Sequence, residues 1–361
     1  MSKLNKDRNL KLSVIKYFVE NRFYPQMEVN VLSKQRISND RKLVTDVDVY
    51  GLFPSIDGQL HIILADCKTL QGQSPAARML WMRGLMDYLS ANKGLIVLSR
   101  PIEKEHQMTA SELDIQLLSD VEFATYAKHT TDNRLEIKSA LVEGAAWDEY
   151  FDVSNRFIGL RDMQDFANTK FWNLENVIRL RNAIGILRKT RGEFNPANNL
   201  HVTVLLNFYS LVSIAVNEVL NRIFNRYLIP GSHGELDDDL KVIIWGGIDS
   251  YEYYNEIRKK VLDTPTTTGD LTLPEWPRFK ELIRTALEHP REFNYVPLFL
   301  KELSFQFIGG ATDYNLTQIL VKENPFISVF SLKLCDYLTR CAGLPLEFQD
   351  IFEKVIFRST P

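Results

Sequence analysis

Residues 44–69 read VTDVDVYGLFPSIDGQLHIILADCKT. Asp46, Asp48, Asp66 and Lys68 interrupt two apolar, strand-like runs at positions where a sheet normally takes Val or Ile. Burying such groups unpaired is costly, so their concentration in adjacent strands marks a site. Residues two apart on a strand face the same side, so Asp46 shares a face with Asp48, and Asp66 with Lys68. A connecting loop of about five residues centred on Asp57 and an antiparallel register set Asp48 opposite Asp66. Hard oxygen donors of this kind suit Mg²⁺ or Mn²⁺, which share their coordination with substrate phosphate. An ion held there can polarise a phosphodiester, while Lys68 orients the attacking water or neutralises charge growing on phosphorus.

The flanking elements must position these groups. Residues 9–22 carry Leu10, Val14, Tyr17 and Phe18 at helical spacing, which predicts an amphipathic helix ended by Pro25. Strands are expected over 27–33, 42–53 and 59–68, with a turn at 38–41 and a loop over 54–58. The run PAARMLWMRGLMDYLSANKG (75–94) predicts a helix with Pro75 near its start and Gly94 just past its end. A strand over 95–100, a helix over 109–120 and a strand over 121–127 complete an order α-β-β-β-α-β-α-β.

At these residues the chain resembles the restriction-endonuclease-like PD-(D/E)xK nucleases. There a strand Asp is followed, after a hairpin, by (D/E)-x-K within a core of order α-β-β-β-α-β. Here the strand Asp is Asp48 in TDVDVYG, and the tripeptide is Asp66-Cys67-Lys68 in ADCKT. The resemblance spans roughly residues 8–127. It implies an α/β domain with a mixed sheet flanked by helices and metal-dependent hydrolysis of nucleic-acid phosphodiesters. Asp48 and Asp66 become metal ligands, Lys68 the catalytic lysine, and Mg²⁺ or Mn²⁺ the cofactor. Many members also carry a Glu on the first helix that completes the metal site. NLKLSVIKYF lacks an acid, and the candidates are Glu20 at the helix end, which is favoured, and Glu28 on the first strand. Asp46 is the substitute ligand if neither reaches the metal. The following helix often bears phosphate-binding groups in this superfamily, which brings in Arg78 and Arg83; Gln71 and Gln73 directly follow the lysine.

From about residue 135 helical periodicity dominates, through 136–168, 172–191, 199–228, 249–263, 276–289, 295–308, 313–322 and 326–357. One strand-like run, KVIIWGG (241–247), interrupts it. The expectation is a nuclease-like domain over 1–132 and a mostly α-helical domain over 133–361, with an internal junction near 263–274. The helical domain would serve substrate selection, oligomerisation or partner binding. In it, NLENVIRLRNAIGILRKTRG places Arg181 and Arg188 on one basic face, a candidate nucleic-acid contact. HGELDDDL (233–240) lacks the spacing of a calcium loop and reads as a polar turn. The six histidines form no ligand pair, and Cys67, turned away from its neighbours, reads as a small core residue.

Composition constrains the reading further. Of 361 residues 45% are hydrophobic and 25% charged, which argues against disorder. Three cysteines without CxxC spacing give neither a zinc ribbon nor a disulfide framework. Net charge is −3, yet residues 1–42 hold 10 basic against 4 acidic groups, a pattern suited to phosphates docking beside bound cations. The charged N-terminus has no secretion-signal core, and VTVLLNFYSLVSIAV (202–216) is short for a membrane span, so a cytoplasmic protein without membrane association is expected. No GxxxxGK[ST] loop occurs. The function expected is a DNA-cutting nuclease of genome defence, restriction or repair, with RNA left open as substrate and a homodimer or partner protein as assembly. The alternative is a catalytically silent nuclease fold that binds nucleic acid or a partner protein.

Overall fold

The computed structural model describes residues 3–34, 41–54, 60–68, 74–132, 136–228, 231–261 and 270–359. The expected turn at 38–41, the loop around Asp57, Gln71, Gln73 and most of the 263–274 junction lie outside them. The chain is α/β and divides into two units, Met1–Asp152 with Ile308–Leu316, and Val153–Phe307 with Thr317–Pro361. Residues 136–152 thus belong to the first unit.

The first unit begins with α1 (Lys3–Glu20), β1 (Tyr24–Leu32), β2 (Leu43–Pro54) and β3 (Leu60–Lys68). It continues with α2 (Pro75–Leu89), β4 (Lys93–Leu98), α3 (Lys104–Glu112), β5 (Ile115–Ser119) and α4 (Asp120–Thr130). The five strands form one mixed sheet in the order β1-β2-β3-β4-β5. β1, β2 and β3 pair antiparallel, whereas β3-β4 and β4-β5 are parallel. β3 is therefore central, and its residues Leu64–Cys67 are buried. The pairing of Val49 with Ala65, carried one step on, sets Asp48 beside Asp66 as expected from the sequence.

α1 lays Val14, Ile15, Phe18 and Val19 into the core. Its Phe18 ring presses so closely on β2 that a Cβ at Gly51 would lie 2.6 Å from it. α2 buries Met79, Met82, Leu85 and Met86, and stops at Ser90, whose left-handed backbone (φ 55°) closes the last turn.

Two expectations at the end of this unit are exchanged. The helix expected over 109–120 ends at Glu112; Asp114 turns the chain with φ 59°, and Ile115–Ser119 is a strand. The strand expected over 121–127 is the helix α4. Ser119 and Glu122 form a reciprocal capping box, the Glu122 carboxylate accepting from the Ser119 N–H at 2.8 Å.

The remaining helices are α5 (Gly144–Arg156), α6 (Arg161–Asp165), α7 (Asn176–Thr190), α8 (Asn199–Tyr227), α9 (His233–Trp245) and α10 (Ile248–Val261). They are followed by α11 (Trp276–Glu288), α12 (Pro290–Phe293), α13 (Val296–Gln306), α14 (Leu316–Glu323), α15 (Ile327–Ala342) and α16 (Glu347–Arg358). The strand expected over 241–247 and the polar turn over 233–240 are together the one helix α9. Ser232 caps it, and Gly246 ends it in a left-handed conformation. The run of 241–245 is the last turn of a capped helix and buries Ile243, Ile244 and Trp245; periodicity over so short a run does not discriminate helix from strand. The helix expected over 326–357 is broken into α15 and α16 by Gly343 (φ 69°) and Pro345.

α8 is the axis of the second unit. Asn199–Arg226 is long and apolar enough to cross a membrane by length and composition, and its most apolar window is wholly buried within the protein. Three of its buried polar residues are held locally: Thr203 donates to the Asn199 carbonyl, Ser210 to that of Asn207, and Ser213 to that of Ser210. From α13, the fully buried Lys301 reaches the Asn207 side-chain oxygen at 3.1 Å, and burial pushes its amine well below the ordinary lysine range.

The acidic run of α9 is an ion-pair hub. Asp237 accepts from Lys280 (2.6 Å) and from the Trp276 indole N–H (2.8 Å), and contacts Lys241 at 2.7 Å. Burial alone would push its carboxyl up, but these donors outweigh it and hold it at about 2. A depressed carboxyl contributes stability above its unfolded value of 3.8 and loses it as pH falls through the folded one. Asp237→Asn is therefore expected to lower the melting temperature at pH 7, with the gap to wild type narrowing from pH 3.8 toward about 2. Thermal melts across that range check this. Gly51→Ala, which drives a methyl into Phe18, should cost about 1–3 kcal/mol in urea unfolding.

Candidate functional site

The site grows from the register of β2 and β3. Asp48 and Asp66 are both 2% exposed, and between them come three basic side chains from three elements. From β3, Lys68 Nζ lies 3.1 Å from Asp48 Oδ2 and 3.6 Å from Asp66 Oδ1. From α1, Lys11 Nζ is 2.9 Å from Asp48 Oδ1. From α2, Arg78 grips Asp66 with both arms of its fork: Nε donates to Oδ2 at 2.5 Å, and Nη2 donates to Oδ1. The Cys67 backbone N–H completes the set, donating to Asp48 Oδ2 at 2.8 Å. Two buried carboxylates are thus matched by three cations, one of which, Lys11, is shared with Glu28.

Sequence explains each placement. Asp48, Asp66 and Lys68 follow from strand alternation, and Cys67 faces away into the core, where burial pushes its thiol up. Lys11 stands one turn before Ile15 and two before Phe18, on the stripe that α1 buries. Arg78 opens the second turn of α2, its guanidinium carbon 4.2 Å from the Trp81 ring centroid one turn on. Glu28 lies between the Met27–Val49 and Val29–Val47 pairs of β1 and β2, with a left-handed backbone (φ 57°) rare for a side-chain-bearing residue. Its carboxylate accepts from Lys11 at 3.1 Å, so Lys11 spans Glu28 and Asp48.

The electrostatics separate the two acids. Burial pushes Asp48 up, but the ammonium groups of Lys11 and Lys68 and the Cys67 N–H outweigh it, leaving the carboxyl below its ordinary range. Burial also pushes Asp66 up and, with Asp48 adding to it, prevails over Arg78, so Asp66 is the harder of the two to ionise. Burial would lower Lys68, yet Asp48 and Asp66 outweigh it and hold the amine protonated. Environments that divide two neighbouring carboxyls in this way are characteristic of acid–base sites.

Of the residues expected from sequence, Asp48, Asp66, Lys68 and Arg78 come together. Asp46 is exposed on the same face of β2 as Asp48, and its charge acts on Arg78. Glu20 pairs with Lys16 at the C-terminal end of α1, about 13 Å of helix rise beyond Lys11. The acid linked to the cluster is Glu28, through Lys11. Arg83 turns elsewhere, to Asp87 (2.6 Å) and Asp114 (3.2 Å), where it ties α2 to the turn before β5. Arg181 and Arg188 belong to the second unit, where Arg181 lies over the Trp245 and Tyr254 rings. Lys11 was not anticipated; its signal was a charged residue on the buried stripe of an amphipathic helix.

Asp48 and Asp66 are oxygen donors of the kind a hard divalent cation takes. Among the described residues no group of three or more His, Cys, Asp or Glu could hold a metal. Mg²⁺, however, is commonly held by one or two carboxylates with water and substrate phosphate. Asp48 Oδ1, buried 2.9 Å from the Lys11 ammonium, would take such a ligand only as Lys11 yields it. Comparison with protein-family models, with curated proteins and with solved structures found no match.

Lys11→Met strips Asp48 of one of its two ammonium partners while leaving the carboxylate buried. The expected loss is on the order of 3 kcal/mol in denaturant unfolding, since removing one partner of a buried pair strands the other. A loss below a few tenths would make Lys11 a bystander.

Proposed function

We propose that this protein is a metal-dependent nuclease that hydrolyses phosphodiester bonds, with DNA as substrate and a restriction-endonuclease-like PD-(D/E)xK site. The observation that carries this reading is the convergence of Asp48 and Asp66 from adjacent strands on the ammonium of Lys68. The element order around them, helix, three antiparallel strands, helix and parallel strand, supports it.

Asp48 and Asp66 are the residues that would hold Mg²⁺ or Mn²⁺, which supplies polarisation of the scissile phosphate. The rest falls to the chain. Lys68, kept cationic by the two carboxylates, sits where negative charge grows on the phosphoryl oxygens and offers a proton donor to orient water. Asp48, ionised at neutral pH, accepts from Cys67 N–H and is thereby fixed in rotamer. Arg78, whose fork suits phosphate oxygens, and Lys11 are the cations a polyanionic substrate would meet beside the carboxylates. Genome defence, restriction or repair is the setting such chemistry suits.

A second reading has its own support: three cations already cover two carboxylates, as in a catalytically silent nuclease fold that binds nucleic acid or a partner protein. Cleavage assays separate the two. Plasmid, linear duplex, single-stranded DNA and RNA are incubated with Mg²⁺, Mn²⁺ or EDTA, beside Lys68→Ala and Asp66→Ala. The nuclease reading expects metal-dependent cleavage that falls at least about 100-fold in both variants. Binding without cleavage under every condition would establish the silent fold.

A further inference from the structure

Both oxygens of Asp66 are taken by one side chain. Arg78 holds them through parallel donors from Nε and Nη2, the planar fork-to-fork match that makes Arg–carboxylate pairs specific. A divalent cation brought to the same two oxygens would face the guanidinium charge at close range, so the two compete for Asp66. Asp48 differs: its Oδ1 faces a single ammonium, Lys11 at 2.9 Å, and Lys11 keeps Glu28 as a second partner if it yields. Arg78 has a second support too, the Trp81 face, which is part of its own helix and lets the guanidinium pivot without leaving the site. A guanidinium released there needs a new anion, and phosphate oxygens fit its fork as a carboxylate does.

We infer that Arg78 is an exchange residue: at rest it is the counter-ion of Asp66, and in the working complex it passes to the substrate phosphate as a divalent cation takes its place. The inference rests on the metal-dependent reading above and adds to it a coupling between the two ligands. A cation on Asp66 expels Arg78 toward phosphate, and a phosphate that captures Arg78 uncovers Asp66. Each ligand thus lowers the cost of binding the other, and by linkage the effect is reciprocal. Metal is held weakly without nucleic acid and tightly with it, so the carboxylates are not left metal-loaded in the absence of substrate.

The test is Mn²⁺ binding followed by electron paramagnetic resonance, for wild type, Arg78→Gln and Asp66→Asn. Each is titrated alone and with a cleavage-resistant phosphorothioate duplex, after subtraction of Mn²⁺ bound by the duplex itself. Wild-type affinity is expected to rise about tenfold with the duplex. Arg78→Gln is expected to bind Mn²⁺ about tenfold more tightly than wild type without the duplex, and to lose the enhancement. A second measurement does not depend on that variant folding. Mg²⁺ added to wild type should change Trp81 emission, taken as the difference from Trp81→Phe, because the guanidinium turns over the ring as it lets go of Asp66. Equal Mn²⁺ affinity in wild type and Arg78→Gln, with Asp66→Asn defective and Trp81 silent, would overturn the exchange and leave the metal site standing. No Mn²⁺ binding by any form, or full binding by Asp66→Asn, would overturn the exchange together with the metal reading.

Discussion

Placing two carboxylates in the middle of a sheet sets the terms for everything around them. Asp48 and Asp66 lie on neighbouring strands, nearly inaccessible to water, where an uncompensated charge would not persist. Compensation comes from outside the strand pair as well as within it. β3 itself supplies Lys68 and the Cys67 N–H, α1 supplies Lys11, and α2 supplies Arg78. The helices are therefore tied to the sheet twice, by apolar packing and by the acids they neutralise. That double constraint fixes the rotation of each helix: Ile15 and Phe18 must pack while Lys11 reaches Asp48, and Met79 and Met82 must pack while Arg78 reaches Asp66.

What the sequence discloses of this arrangement follows from the range of each interaction. Strand alternation is local, so the shared faces of Asp46 with Asp48 and of Asp66 with Lys68 are readable, and the register places the pair side by side. The addition of β4 follows from a buried run behind the helix that begins at Pro75. The boundary between Glu112 and Asp120 was misread because IQLL suits the buried face of a helix as well as a strand. The Ser119-x-x-Glu122 cap that decides it was already in the text. The run KVIIW is ambiguous in the same way: the helix it ends starts eight residues earlier, at His233, capped by Ser232.

The site's counter-charges were less legible, for a different reason. A lysine on α1 and an arginine on α2 are individually ordinary, and only tertiary contact shows which carboxylate each one meets. Arg78 was expected to face phosphate and lies on Asp66; Glu28, ranked second to Glu20, is the acid joined to the cluster through Lys11. The left-handed backbone at Glu28 has no sequence signature, since a glycine or asparagine is what such a position usually shows.

Lys301 gives the helical unit a property independent of the nuclease question. Wholly buried against Asn207, with its amine biased toward the neutral form, it combines an intrinsically nucleophilic nitrogen with complete shielding. Surface lysines are accessible; Lys301 is not. Amine-directed acylation of the native protein would thus record surface residues at once and Lys301 only when α8 and α13 separate. The side chain is a built-in chemical clock for the opening of that helix pair.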